Sequence, residues 1–208
     1  MVSVYFAGEL FSLKHLVGNA ALAEAIARLS NGRFVCVLPQ TLEDRAMSAH
    51  EIRDQDIVAL LGCDLAIFNF DGPELDSGTV AEFMLAKFAD IPSLLLRTDF
   101  RRGGDQSDDP WNLMMSFYPR TKTLCLHSLE IYKLGLKSGV SPIEAGQSMV
   151  EHVAQSVVKE LEILSQLPPI MAAETMEPVF NWISRLTGFQ SSESIEKVKD
   201  ALTKKKGG

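Results

Sequence analysis

The stretch of sequence that decides the fold is Asp64-Leu-Ala-Ile-Phe-Asn-Phe70, which runs directly into Asp71-Gly-Pro-Glu-Leu-Asp-Ser-Gly-Thr-Val-Ala-Glu82. The first part is almost continuously apolar, which is typical of a parallel strand buried on both faces. From Ala81 to Phe88 the apolar residues take up helical spacing. The loop between strand and helix carries several carboxylates, and in open α/β sheets such carboxyl-end loops hold the ligand.

The same alternation of strand and helix continues along the chain. It predicts a doubly wound, five-stranded parallel sheet of the flavodoxin-like or Rossmann-like type. Ser141-Pro-Ile-Glu144 is a capping box with Pro at the first helical position, so it marks the start of the last long helix. The predicted strands are 2–6, 33–38, 64–70, 92–97 and 121–126, and the predicted helices are 19–29, 48–61, 78–89, 111–117 and 141–165.

A C-terminal helical extension follows the main α/β domain. Leu167-Pro-Pro-Ile170 interrupts the long helix, which divides the chain into an α/β domain of residues 1–168 and an extension of residues 169–208 with a helix near 192–203. The extension is too small to bury a core by itself. It therefore packs on the main domain, packs on a partner, or stays mobile.

Composition and charge exclude several classes of function. The chain has 208 residues, 46% of them hydrophobic, and a net charge of −7, which argues against binding to a nucleic-acid polymer. The dense basic run Lys204-Lys-Lys206 is expected to be a solvated tail. No apolar stretch approaches the ~20 residues that span a bilayer, so we expect no membrane contact and a cytoplasmic location.

The sequence also lacks the signatures of metals and cofactors. Cys36, Cys63 and Cys125 lie in or beside apolar runs without metal-ligand spacing, which indicates buried thiols, and the histidines are scattered. The first strand leads into Ala7-Gly-Glu-Leu-Phe11, which is not a phosphate-binding glycine loop. We therefore expect no cofactor and no metal, and small, polar, uncharged ligands fit the strand ends best.

The acidic loop has a purely structural interpretation as well. Thr79 and Glu82 have the spacing of a capping box, in which Glu82 would satisfy a backbone N–H at the helix start. Asp71 and Asp76 could be ordinary turn residues. The loop alone does not decide between this interpretation and a ligand site.

Five motifs in the first two thirds of the chain point to a known family. They are Val4-Tyr-Phe-Ala-Gly-Glu-Leu-Phe11, Ile52-Arg-Asp-Gln-Asp-Ile57, Cys63-Asp-Leu-Ala-Ile-Phe68, Asp76-Ser-Gly-Thr-Val-Ala-Glu82 and Trp111-Asn-Leu-Met-Met115. In this order they resemble the motifs of the nucleoside 2-deoxyribosyltransferases. The resemblance covers roughly residues 2–128, and its most specific part is the Asp-x-Gly-Thr/Ser-x-x-Glu element.

The resemblance implies three catalytic residues. Glu82 would be the nucleophile that attacks C1′, and a place in the first helical turn would help to keep it ionised. Tyr5 would orient this nucleophile, although it could also be a core tyrosine at a strand end. Asp56 would contact the base and supply a proton to it, although it could also lie on a solvated helix face.

The resemblance also implies a set of substrate-binding residues. Asp76 and Asn112 would bind the sugar 5′-hydroxyl, with Asn112 coming from a neighbouring subunit, so the protein would be a homo-oligomer. A carboxylate at this place would repel a phosphate, which favours free nucleosides over nucleotides. Asp71 and Gly8 would also bind the substrate. Gln40 would read the base edge, unless it is a plain loop residue.

The implied function is exchange of the base of a 2′-deoxyribonucleoside for another free purine or pyrimidine base, through a covalent deoxyribosyl-Glu82 intermediate. Two alternatives remain open. Water could intercept the same intermediate, which would make the protein a nucleoside or 2′-deoxynucleoside 5′-monophosphate N-glycosidase. The second alternative is a non-catalytic nucleoside-sensing domain, in which the C-terminal extension responds to the bound ligand.

Overall fold

The parallel sheet is the centre of the computed structural model, which describes residues 1–42, 46–99, 112–189 and 191–206. Within these residues five strands lie in the order β2-β1-β3-β4-β5, and all of them pair in parallel. The doubly wound, five-stranded fold predicted from the sequence is confirmed. The strands are β1 (Val2–Ala7), β2 (Phe34–Val37), β3 (Leu65–Asn69), β4 (Ser93–Arg97) and β5 (Thr121–Cys125).

Helices cover both faces of the sheet. The described residues form α1 (Leu13–Leu29), α2 (Ala49–Gly62), α3 (Ser77–Phe88), α4 (Ser128–Lys137), α5 (Pro142–Leu164), α6 (Ala173–Thr187) and α7 (Ser192–Lys206). The predicted capping box forms at the start of α5, where Ser141 caps the backbone and Glu144 returns the hydrogen bond. None of the described helices has both the length and the apolar content needed to cross a membrane.

One predicted helix is wrong. Residues 112–117, the described part of the predicted helix 111–117, form turns, and Trp111 lies outside the described residues. The Asn112 side-chain oxygen accepts hydrogen bonds from the backbone N–H groups of Met114 (3.0 Å) and Met115 (3.2 Å). An Asn side chain that bonds its own following backbone in this way favours a turn over a helix.

Alternate residues of β1 face two separate cores. Val4 and Phe6 pack with α1 and α5, whereas Tyr5 and Ala7 pack with α2 and α3. In the strand order 2-1-3-4-5 the chain reverses direction across the sheet between β1 and β3. A crevice therefore opens outside the carboxyl ends of these two strands, which is where open α/β sheets bind ligands.

The C-terminal extension packs on the main domain. Four of its side chains are buried in the same core as residues of α2 and α3; they are Phe180, Ile183, Val198 and Leu202. Of the three arrangements left open by the sequence, the structure has the first. The domain boundary near residue 168 stays a prediction.

The basic run at the end of the chain is not a solvated tail, as the sequence suggested. It continues α7, and the Lys204 ammonium lies 3.3 Å from a carboxylate oxygen of Asp64. The Lys205 ammonium donates to the Cys63 carbonyl at 2.6 Å, and burial lowers the pKa of this lysine. These contacts fasten α7 to the segment that joins α2 to β3.

Candidate active site

A close approach of two chain segments shapes the floor of the crevice. Gly8 follows β1, and a Cβ atom at this position would lie only 3.1 Å from the Cβ of Asn69, the last residue of β3. A larger residue here would push Asn69 by a few tenths of an ångström, so glycine suits the close packing between the strand ends. The role of Gly8 in binding substrate stays a prediction.

A tyrosine and a glutamate meet on the face of the sheet that α2 and α3 cover. The Tyr5 hydroxyl in β1 donates a hydrogen bond of 2.6 Å to Oε1 of Glu82 in α3. Tyr5 is fully buried and Glu82 is half-buried. The two residues lie far apart in the sequence, and the pairing of β1 with β3 followed by the turn into α3 brings them together.

The helix start that precedes Glu82 differs from the capping box that the sequence suggested. Asp76, not Thr79, is the N-cap of α3, and its carboxylate accepts a hydrogen bond from the Thr79 backbone N–H. Glu82 is consequently in the second turn of the helix. The expectation that Glu82 lies in the first turn is wrong, as is its assignment to a capping box.

Burial dominates the electrostatics of Glu82. It raises the pKa of this carboxyl to about 7, while the hydrogen bond from Tyr5 opposes the rise and the charges of Asp56 and Asp76 add to it. Burial, with the charges of Glu82 and Asp56, also raises the pKa of Tyr5, so the phenol keeps its proton and acts as the donor. Because Glu82 lies beyond the first turn, burial and the neighbouring charges raise its pKa, and the helix terminus does not hold it ionised as expected.

Asp56 lies on α2 and faces the Tyr5–Glu82 pair. Its negative charge raises the pKa of both partners, and it is half-buried with a buried Oδ1 atom. Its neighbours Glu51 and Arg53 are exposed. This environment does not fit a residue on a solvated helix face.

Asp76 is a second carboxylate near Glu82, at the start of α3. Its charge raises the pKa of Glu82, and its Oδ2 atom accepts hydrogen bonds from the Thr79 N–H (2.7 Å) and hydroxyl (2.8 Å). The alternative in which Asp76 is a structural residue is thus correct in part. The carboxylate caps the helix and also lies near the candidate nucleophile.

Asp71 ties two strand ends together. Its Oδ1 accepts hydrogen bonds from the backbone N–H groups of Thr98 and Asp99, and its Oδ2 accepts one from the Thr98 hydroxyl at 2.6 Å. Asp71 therefore fastens the end of β3 to the end of β4. Its direct contact with substrate stays a prediction.

Gln40 is held by α1. It lies in a short 3-10 helix, Pro39–Thr41, where its side-chain nitrogen donates to the Leu16 carbonyl at 3.0 Å and its oxygen accepts from Asn19 at 3.3 Å. Both ends of the amide therefore have protein partners. Base reading by Gln40 stays a prediction and would require these bonds to be exchanged.

Asn112 begins an exposed apolar turn. Leu113, Met114 and Phe117 are exposed beside it, while its own side chain holds the turn. Among the described residues of one chain, no hydrogen bond joins Asn112 to Tyr5 or Glu82. Its contribution to a neighbouring subunit stays a prediction.

Sequence reasoning missed a group of polar residues on the other face of the sheet. A cavity of about 180 Å³ lies under the strand ends, between α1 and α5, and Asn19 and Asn69 line it. A Glu9 carboxylate oxygen lies 3.1 Å from the His15 Nε2 atom beside it, and Asn19 donates to the Glu9 carbonyl. The sequence feature that could have revealed this polar group is the four-residue spacing of His15 and Asn19, which places both on one face of α1.

No group of three or more histidine, cysteine, aspartate or glutamate side chains in the described ranges could hold a metal ion.

Comparisons with known proteins place this arrangement in a family. The chain is similar to a conserved protein from Enterococcus faecalis V583 of known crystal structure, with 26% identity over 75% of this chain and 99% of the other and a TM-score of 0.46. It is also similar to the 2-desoxiribosyltransferase from Leishmania mexicana, with 22% identity over 67% of this chain and 100% of the other and a TM-score of 0.46. The search among curated proteins gave no match. The sequence profile of the Nucleoside 2-deoxyribosyltransferase family matches residues 4–114, more than half of the chain, and the chain belongs to this family.

Proposed function

We propose that the protein exchanges the base of a 2′-deoxyribonucleoside through a covalent adduct on Glu82. The observation that carries this proposal is the 2.6 Å hydrogen bond from the Tyr5 hydroxyl to Oε1 of Glu82. Tyrosine donation to one carboxylate oxygen fixes the group and leaves the other oxygen for attack on C1′. Family membership supplies the substrate class.

The reaction consists of two displacements. In the first, ionised Glu82 forms a bond to C1′ while the bond from C1′ to the base nitrogen breaks and its electron pair leaves with the base. In the second, a nitrogen of the incoming base attacks C1′ and the Glu82 carboxylate is released. Both steps pass through oxocarbenium-like transition states, and two inversions give net retention at C1′.

We assign the protonation of the leaving base to Asp56. The step requires an ionised Glu82 and a protonated acid in the same site. Asp56 and Glu82 repel each other when both are charged, and this repulsion contributes to the raised pKa of Glu82. The base takes the proton of Asp56 as it leaves, and the incoming base returns one in the second step.

The proposed sugar is 2′-deoxyribose without a phosphate. A 2′-hydroxyl withdraws electron density from C1′ and raises the energy of an oxocarbenium-like transition state, so ribonucleosides should react more slowly. A 5′-phosphate brings roughly two negative charges toward Asp76, which already carries one. Preference of the unmodified enzyme for the 5′-monophosphate would reverse the choice between a transferase and a nucleotide hydrolase.

Incubation with a deoxynucleoside and a second free base tests the proposal. Chromatography should detect the new nucleoside and the released base, with little free sugar. Glu82→Ala should abolish exchange, and circular dichroism should find its fold retained because Glu82 does not cap α3. Free sugar as the main product would instead identify a hydrolase, and binding without turnover would identify a sensing domain.

A further inference from the structure

Thr79 is a buried residue of α3 that the proposed reaction does not use. It is 1% exposed, and it directs two donors at the same atom, because both its backbone N–H and its hydroxyl bond to Oδ2 of Asp76. A simple helix cap needs only the first of these bonds. The second bond ties the carboxylate to a side chain that is itself immobile.

The surroundings restrict the Asp76 carboxylate further. A Cβ atom on Gly78 would lie 3.2 Å from Oδ2, so the missing side chain at this position gives the oxygen its room. Among the described residues no hydrogen bond reaches the other oxygen, Oδ1. Asp76 also lies close enough to raise the pKa of Glu82, so the carboxylate borders the candidate site.

We propose that Thr79 is a positioning residue that determines specificity through Asp76. By engaging Oδ2 twice, it holds the carboxylate in one orientation and leaves Oδ1 as a single, fixed acceptor for the 5′-hydroxyl of the sugar. A fixed acceptor binds more tightly than a mobile one because little side-chain freedom is lost on binding. This inference rests on the proposed function for the identity of the sugar.

The same arrangement explains how a phosphate is rejected. The N–H groups at the start of a helix attract anions, and the Asp76 carboxylate already occupies this place in α3. The Thr79 hydroxyl strengthens that occupation with a hydrogen bond to a charged oxygen. Loss of the hydroxyl should therefore weaken selection at the 5′ position without touching the reacting atoms.

Two variants of Thr79 separate positioning from packing. Thr79→Val keeps the shape and the N–H but removes the hydroxyl, and Thr79→Ser keeps the hydroxyl as the matched control. The probes are a 2′-deoxynucleoside and its 5′-deoxy analogue, which lacks the 5′-hydroxyl. The measurements are KM and kcat for base exchange and the dissociation constant by titration calorimetry.

We expect Thr79→Val to raise KM and the dissociation constant for the 2′-deoxynucleoside about tenfold, and to leave those for the 5′-deoxy analogue unchanged. Thr79→Ser should bind both probes as the unmodified protein does. If Thr79→Val does not fold, Gly78→Ala displaces the same oxygen from an exposed position and should give the same selective loss.

Equal losses for both probes would overturn the proposal, because packing alone would then account for Thr79. An unmodified protein that binds neither probe, or that binds both equally, would overturn it as well. If the unmodified protein binds the 2′-deoxynucleoside but does not exchange bases, the proposed function fails. A selective loss of binding in Thr79→Val would still support the positioning role in that case.

Discussion

Replacing Tyr5 by phenylalanine should shift the pH dependence of kcat/KM for base exchange, so that activity is lost on acidification at a higher pH. The change removes only the hydroxyl that donates to Glu82 and keeps the buried ring. This hydrogen bond favours the ionised carboxylate, which is the nucleophilic form, and it opposes the effect of burial on the pKa of Glu82. Without it, Glu82 should hold its proton more tightly.

The size of the effect follows from the pKa of about 7 for Glu82. A hydrogen bond to a charged group contributes roughly 1.5–3 kcal/mol, and one pKa unit corresponds to about 1.4 kcal/mol. Tyr5→Phe should therefore raise the pKa of Glu82 to roughly 8–9. The ionised fraction at pH 7 would fall from about one half to roughly 1–10%, with a matching loss of kcat/KM.

The assay is kcat/KM for base exchange as a function of pH. The unmodified enzyme should lose activity below about pH 7, and the Tyr5→Phe enzyme should regain much of its lost activity in more alkaline buffer. Tyr118→Phe is the matched control, because its ring packs edge-on against Phe83 at 5.4 Å, next to Glu82 in the chain. An acid limb near the ordinary glutamate pKa, or one that Tyr5→Phe leaves in place, would refute the reasoning.

Three further predictions concern stability and assembly. The pKa of Glu82 is higher in the folded protein than in the unfolded chain, so the free energy of unfolding should fall as pH rises from about 4.5 to about 7. Glu82→Gln should flatten this pH dependence in thermal melts. The same slope in Glu82→Gln as in the unmodified protein would contradict the prediction. Phe180→Ala should lower the free energy of unfolding by roughly 3–5 kcal/mol in urea titrations, because Phe180 is only 2% exposed. Trp182→Ala should change the free energy of unfolding by less than about 0.5 kcal/mol, because Trp182 is 62% exposed. Equal effects of the two variants would show that the extension is not part of the core. Light scattering should find at least a dimer. If Asn112 completes a neighbour's site, mixing inactive Glu82→Ala subunits with inactive Asn112→Ala subunits should restore activity. An active monomer would exclude a shared site.

Strands β1 to β4 could be predicted from the sequence because each is a short, mostly apolar run. The two helices that were missed lack a comparable signal. None of the residues in α4 is buried, and α6 contains Pro178, which is expected to end a helix. Helix α6 persists because Phe180 and Ile183 lie in the shared core. Met176, Val179, Phe180 and Ile183 have helical spacing, but Pro178 among them argues against a helix when the sequence is taken alone.

The residues of the candidate site could be named from motifs, but their interactions could not. Two residues three positions apart, Asp76 and Thr79, are candidate N-caps, and only Asp76 caps α3. Glu82 therefore does not cap the helix, and its carboxylate accepts a hydrogen bond from Tyr5, which is 77 residues away in the chain. The raised pKa of Glu82 depends on burial and on charges brought together by the fold, so no local pattern encodes it.

The measurement that tests the central claim most directly is mass spectrometry of the enzyme, quenched rapidly after mixing with a 2′-deoxynucleoside and no acceptor base. We predict a mass increase of one deoxyribosyl group on the peptide that contains Glu82, its loss when a free base is added, and no such increase in Glu82→Gln. Base exchange by the unmodified enzyme without an adduct, or with an adduct on another residue, would contradict the account.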